Sequence, residues 1–152
     1  MVIKGDVEYI KSLYSLWKNV FGDSDESIEI FFEKQYNRCE TFIHLFDEKV
    51  ASAFYLLPCK LSYNENEYEG RYLFAAATDP DFRKKGIMAK LIEQAKEYCK
   101  ENEIDFIALL PASDSLYSYY LKFGFHTAMH KYKGICSVDY INSLNGTADC
   151  EA

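Results

Sequence analysis

The stretch that most constrains this chain covers residues 75–92. A strand-like run closes there on Ala75-Ala76-Ala77-Thr78-Asp79-Pro80, and a helical run opens on Gly86-Ile87-Met88-Ala89-Lys90-Leu91-Ile92. Pro80 ends the strand, because it has no N–H to offer a neighbour and it restricts the residue before it. Ile87, Leu91, Ala95 and Tyr98 or Cys99 recur at helical spacing, which predicts a long helix ending near Asn102. Arg83, Lys84 and Lys85 sit in the join, beside a helix start whose unpaired N–H groups and positive dipole end favour an anion. Gly86 lets the backbone approach that anion closely. The join reads as a turn built to hold the pyrophosphate of a coenzyme. The three alanines before it read either as close packing against a helix or as backbone left open to an extended ligand.

A chain of 152 residues fits one domain, expected over residues 1–141 with a polar tail at 142–152. Hydrophobic residues at 49% and aromatics at 16% are far from a disordered composition. The net charge of −7 argues against nucleic acid as a partner, since such binding draws on phosphate neutralisation. An acidic surface suits a cationic substrate, and it equally serves solubility alone. Cys39, Cys59, Cys99, Cys136 and Cys150 are odd in number and lack a C-x-x-C pair, so reduced thiols in a cytoplasmic protein are expected, without a metal site. No apolar signal core follows Met1 and no stretch approaches 18 apolar residues, so no membrane partner is expected.

Ile10, Leu13, Tyr14, Trp17, Val20 and Phe21 make one apolar helical stripe that Gly22 ends. Asp23 with Glu26 resembles a capping box for a second helix carrying Ile28, Phe31 and Phe32. Residues 41–46 and 50–57 read as a hairpin closed by Pro58, and residues 60–63 and 68–78 as a second, with Gly70 as its bulge. After the long helix, residues 105–110 read as a strand, Ser113 or Asp114 as the cap of a helix ending at Gly124, and residues 125–132 and 134–138 as final strands. The order implies an α/β chain with a central mixed sheet of six to seven strands, flanked by about four helices on both faces.

With these elements in place, Ala76-Ala77-Thr78-Asp79-Pro80-Asp81-Phe82-Arg83-Lys84-Lys85-Gly86-Ile87-Met88 resembles the acetyl-coenzyme A motif of the GNAT superfamily of N-acetyltransferases. That motif reads Arg or Gln, two residues, Gly, one residue, Gly or Ala. Leu116-Tyr117-Ser118-Tyr119-Tyr120-Leu121-Lys122-Phe123-Gly124-Phe125 resembles the family's second signature, a helix with Tyr four residues before Gly-Phe. Met88 departs from the first pattern and looks like the Eis-like branch, though that branch's extra carboxy-terminal domains are not expected for this chain. The resemblance spans roughly residues 50–132. It implies a GNAT-like fold and acetyl-CoA as cosubstrate without a metal. It also implies that backbone groups of Ala76, Ala77 and Thr78 meet the pantetheine arm, and that Lys84, Lys85, Gly86, Ile87, Met88 and Ala89 hold the pyrophosphate. Arg83 would support that loop, Ser115 and Leu116 would lie where the coenzyme passes the second helix, and Tyr120 would protonate the departing thiolate.

Acyl transfer from a thioester to an amine needs a neutral amine, help for the oxyanion and a proton for sulfur. Backbone N–H groups near residues 76–78 suit the second need and Tyr120 the third. For the base, Glu67, Glu69, His44, His126 and His130 all stay open. The expected activity is direct acetyl transfer to a primary amine of a small molecule or peptide, in a ternary complex without a Cys relay through Cys59 or Cys99. A catalytically inactive acyl-CoA sensor of the same fold and a polyanion-binding module remain the alternatives. Oligomeric state stays open, a homodimer included.

Overall fold

The computed structural model describes residues 2–3 and 7–128. Helix α1 (Ile10–Phe21) forms where its stripe places Leu13, Leu16 and Trp17 inward, and Gly22 stops it in the left-handed conformation, with its N–H on the Lys18 carbonyl at 3.0 Å. Helix α2 (Asp25–Lys34) is capped by Ser24, whose hydroxyl accepts from the Ser27 N–H at 3.3 Å. This corrects the expected cap at Asp23. The Asp23 carboxylate is already committed to the indole N–H of Trp17, at 2.8 Å.

Strands β1 (Val2–Ile3), β2 (Glu40–Phe46), β3 (Lys49–Tyr63) and β4 (Asn66–Thr78) pair antiparallel in chain order, and β5 (Phe106–Ala108) joins β4 in parallel. Between β4 and β5 runs α3 (Ile87–Glu101), and α4 (Asp114–Leu121) follows β5. Alternation along the strands divides the core. Ile43 and Tyr55 face α1 and α2 with Leu13, Trp17 and Phe31, whereas Phe42, Phe54, Leu56 and Leu73 face α3 and α4 with Leu91, Ile92, Ala95 and Tyr120. A buried ion pair between Glu40 and Arg71, Nε to Oε2 at 2.9 Å, ties β2 to β4, and the Tyr98 hydroxyl of α3 donates to the same carboxylate at 3.2 Å.

Three expectations about the sheet change. Pro58 does not close its hairpin: β3 continues to Tyr63, because pairing with β2 ends at Leu56 and the missing N–H faces no strand there. Gly70 is not a bulge but lies under the Phe106 ring, where a Cβ would come within 2.1 Å of Cζ. Among the described residues the sheet has five strands, not six to seven. The strand expected from residue 125 is irregular as far as 128, since the Phe125 N–H still closes the end of α4 on the Tyr120 carbonyl at 3.3 Å. The remainder of that segment, residues 134–138 and the tail lie outside the described residues.

Candidate functional site

The site begins where two parallel strands part. β4 and β5 pair only through Gly70, Arg71 and Tyr72, opposite Phe106, Ile107 and Ala108; β5 then stops while β4 continues to Thr78. Within that continuation the register slips. Tyr55 faces Phe74 and Ala53 faces Ala77, so β4 spends three steps where β3 spends two, and Ala75 takes the extra step at φ 49°. The left-handed conformation costs a non-glycine residue roughly 1–2 kcal/mol.

Peptide planarity then fixes which way the strand end faces. The Asp79 N–H donates to the Ala51 carbonyl at 2.9 Å, so the Thr78 carbonyl points away from β3. By the same alternation the Thr78 N–H and the Ala76 carbonyl face the open edge, while Ala77 turns its backbone toward β3. Of the three residues expected to meet a ligand through the backbone, Ala76 and Thr78 are on the edge and Ala77 is beside it. Ser52, which the sequence reading passed over, is fully buried behind them; its hydroxyl donates to the Ala77 carbonyl and lies 2.9 Å from the Thr78 hydroxyl. A lone serine in a buried strand, between Ala51 and Ala53, is the signal that could have drawn attention to it.

The basic turn follows directly. Asp79 accepts from the Asp81 N–H at 3.0 Å and starts a short 3-10 turn, Pro80–Phe82. Arg83 donates through Nε to the Thr78 carbonyl at 3.1 Å, so its side chain ties the loop to β4. Phe82 is held between the Phe46 ring at 5.0 Å and the Lys85 ammonium at 4.8 Å. Phe46, at the end of β2, is a second residue the sequence reading missed. Lys84 and Gly86 are both left-handed, at φ 61° and 73°, and they turn the chain so that α3 starts on the buried Ile87. No side chain caps α3, so the N–H groups of its first turn, Ile87 to Ala89, are left for an outside acceptor. An added Cβ at Gly86 would meet nothing within 4 Å, which leaves open space at the same place. An uncapped helix start with exposed lysines beside it fits a pyrophosphate. Met88 does not intrude, because its half-buried side chain packs against the core under α3 and α4.

Helix α4 brings up the third part. Ser113 occupies its cap position, Ser115 is exposed with its hydroxyl 3.0 Å from that of Ser113, and Leu116 is half-buried. Tyr120 is 9% exposed and shares one apolar cluster with Leu116, Met88 and Ala76, so the second motif is brought to the first. It lines a cleft of about 570 Å³ along β5, with Phe106, Ala108, Leu110 and Phe125. Burial and then the neighbouring Tyr119 hold its phenol above the ordinary tyrosine value, so it keeps its proton at neutral pH.

The remaining candidates separate. Glu67 and Glu69 are exposed partners of Lys60, at 3.7 and 2.8 Å, and Glu69 lies seven residues before Ala76, roughly 20 Å at the rise of a strand. His44 lies on β2 with Nδ1 buried and without a hydrogen-bond partner, His126 borders the α4 cleft, and His130 lies outside the described residues. Burial raises the thiol of Cys59, and pushes that of Cys99 up to about 11, which makes both poor nucleophiles at neutral pH. Among the described residues no helix is long and apolar enough to cross a membrane, and no three His, Cys, Asp or Glu side chains are grouped to hold a metal.

Among the described residues, an open strand edge beyond a bulge, a basic turn at a bare helix start and a buried tyrosine on the next helix lie together at one end of the sheet. The chain belongs to the acetyltransferase (GNAT) domain family, whose model matches residues 3–128. Among solved structures, it is similar to AAC(6′)-Iy in complex with the bisubstrate analogue CoA-S-monomethyl-acetylneamine, with a TM-score of 0.71 and 16% identity over 90% of this chain and 98% of that one. A predicted acetyltransferase with acetyl-CoA from Clostridium acetobutylicum gives a TM-score of 0.71 and 19% identity over 89% and 95%. A probable N-acyltransferase from Enterococcus faecalis V583 gives 0.72 and 21% over 82% of this chain, which spans only 31% of that one. At these identities the likeness is one of fold. No curated protein matches the sequence.

Proposed function

We propose that this domain is an acetyl-CoA-dependent N-acetyltransferase that passes the acetyl group directly to a primary amine of a small molecule or peptide. The observation that carries the reading is the adjacency of the open β4 edge at Ala76 and Thr78 to the bare start of α3, with Arg83, Lys84 and Lys85 in the turn between them. That arrangement suits a ligand with an amide-bearing arm and a pyrophosphate. In the proposed reaction the neutral amine nitrogen attacks the thioester carbonyl, the C–S bond breaks as Tyr120 donates a hydrogen bond to the departing sulfur, and the proton lost from the nitrogen passes to solvent, from which the thiolate regains one. Burial holds the Tyr120 phenol above its usual value and keeps it protonated, so Tyr120 serves as a hydrogen-bond donor to the sulfur during C–S cleavage.

Met88 at the last position of the first motif supports a place near the Eis-like branch. The free thiols of Cys39, Cys59 and Cys99 suit the cytoplasm. The amine ligand of AAC(6′)-Iy makes aminoglycosides a sensible first member of the acceptor panel, beside polyamines and lysine peptides. The test follows thiol release from acetyl-CoA across that panel. Tyr120→Phe is expected to lower turnover at least tenfold, with little change in coenzyme affinity; a full general-acid role would make the loss about 10²–10⁴. Equal, near-background rates for both forms would favour an acyl-CoA sensor, and preferential binding of ATP or DNA would end the acetyltransferase reading.

A further inference from the structure

We infer that Ser52 is a positioning residue that turns Thr78 into a hydrogen-bond acceptor for an amide N–H of the pantetheine arm; the inference rests on the acetyl-CoA reading above. It follows from counting protons. Ser52 is 0% exposed and stands opposite Thr78 in the β3–β4 ladder. Its Oγ lies 2.9 Å from the Ala77 carbonyl oxygen and 2.9 Å from the Thr78 hydroxyl oxygen. A carbonyl can only accept, and a serine hydroxyl has one hydrogen. The Ser52 hydrogen therefore goes to Ala77, and the Thr78 hydroxyl must donate to Ser52. His44, opposite Ser52 on β2, does not compete, because its Nδ1 has no hydrogen-bond partner.

The consequence lies at the open edge. With its hydrogen directed inward, the half-buried Thr78 hydroxyl has only lone pairs left for a ligand. Its carbonyl is taken by Arg83, and its N–H faces the same edge. Beside the carbonyl that Arg83 holds, Thr78 thus offers one donor, the backbone N–H, and one side-chain acceptor, Oγ1. An amide supplies the complementary pair, and the pantetheine arm carries amides. A phosphate, which has only acceptor oxygens when ionised, gains nothing from Oγ1, so the strand end and the basic turn read different parts of the same ligand.

The test measures calorimetric affinities for acetyl-CoA and for adenosine 3′,5′-bisphosphate, which lacks the pantetheine arm. Thr78→Val and Ser52→Ala are each expected to weaken acetyl-CoA roughly three- to tenfold, the worth of about one hydrogen bond, and to leave the bisphosphate within twofold. Thr78→Ser, which restores the hydroxyl, is expected to recover most of the loss. Unchanged acetyl-CoA affinity in Thr78→Val, or equal weakening of both ligands, overturns the inference. The valine and serine variants keep it falsifiable if Ser52→Ala does not fold. Failure of the unmodified protein to bind acetyl-CoA would instead overturn the function on which the inference rests.

Discussion

The β4–β5 junction depends on a glycine, and Gly70→Ala probes it directly. An ideal Cβ at Gly70 falls 2.1, 2.4 and 2.6 Å from three carbons of the Phe106 ring. Comfortable carbon contacts are about 3.5–4.0 Å, so the ring has to move by more than about 1 Å. Phe106 is half-buried and stands opposite Gly70 in the parallel ladder, so moving it gives up much of its burial and strains one of only three pairs joining the strands. Full burial of a phenylalanine side chain is worth about 1.5–3 kcal/mol, which sets the expected destabilisation at about 2 kcal/mol. A domain of this size loses about 2–4 °C per kcal/mol, giving a fall of roughly 4–8 °C in Tm. Urea unfolding of Gly70→Ala, Phe106→Ala and the double variant supplies the decisive cycle. Once the ring is gone, alanine at position 70 should be neutral or stabilising, and the coupling should approach about 2 kcal/mol. A cost below about 0.5 kcal/mol for Gly70→Ala, or additivity in the cycle, would refute the close-approach argument.

Three further outcomes are expected. Arg71→Met removes the cationic partner of the buried Glu40 carboxylate and should cost about 3–5 kcal/mol in denaturant unfolding, with much of the loss recovered in a Glu40→Met/Arg71→Met double variant. Glu65→Gly relieves a left-handed residue at φ 62° in the exposed β3–β4 turn after Asn64, and should raise stability by about 1 kcal/mol in the same measurement. Cys99, with its thiol pushed up to about 11, stays neutral in the folded state after the unfolded thiol has ionised; its contribution to stability is therefore complete below about pH 8.5 and is lost as pH rises toward 11. Its alkylation in the native protein at pH 8 should be much slower than in urea; equal rates would contradict the burial.

The helices were legible because each carries its signals locally. The stripe of α1, its Gly22 stop and the basic turn into α3 need no knowledge of the rest of the chain. The pairing of the two motifs was legible too, and the fold brings Tyr120, Leu116, Met88 and Ala76 to one cluster. What escaped was set by neighbours. Pro58 reads as a strand end until β2 is seen to stop at Leu56, and Gly70 reads as a bulge until Phe106, distant in sequence, lies over it. The real bulge hides in three alanines, since nothing in Ala75 itself requires a positive φ. Ser52 gains its meaning only when β4 is laid beside it.

That bulge acts as a parity switch. With Ala75 in place, Ala77 pairs with Ala53, and Thr78 turns its N–H and carbonyl outward. Were the chain to run through Ala75 as a regular strand while the register before it held, Thr78 would occupy the place of Asp79, its N–H would point at Ala51, and the outward groups would belong to its neighbours. Whether one residue is taken up in the bulge decides whether the end of β4 is spent on its own sheet or offered to a guest. Deleting Ala75 would remove the bulge and still leave Thr78 opposite Ser52, whereas straightening the bulge at full chain length would invert the site.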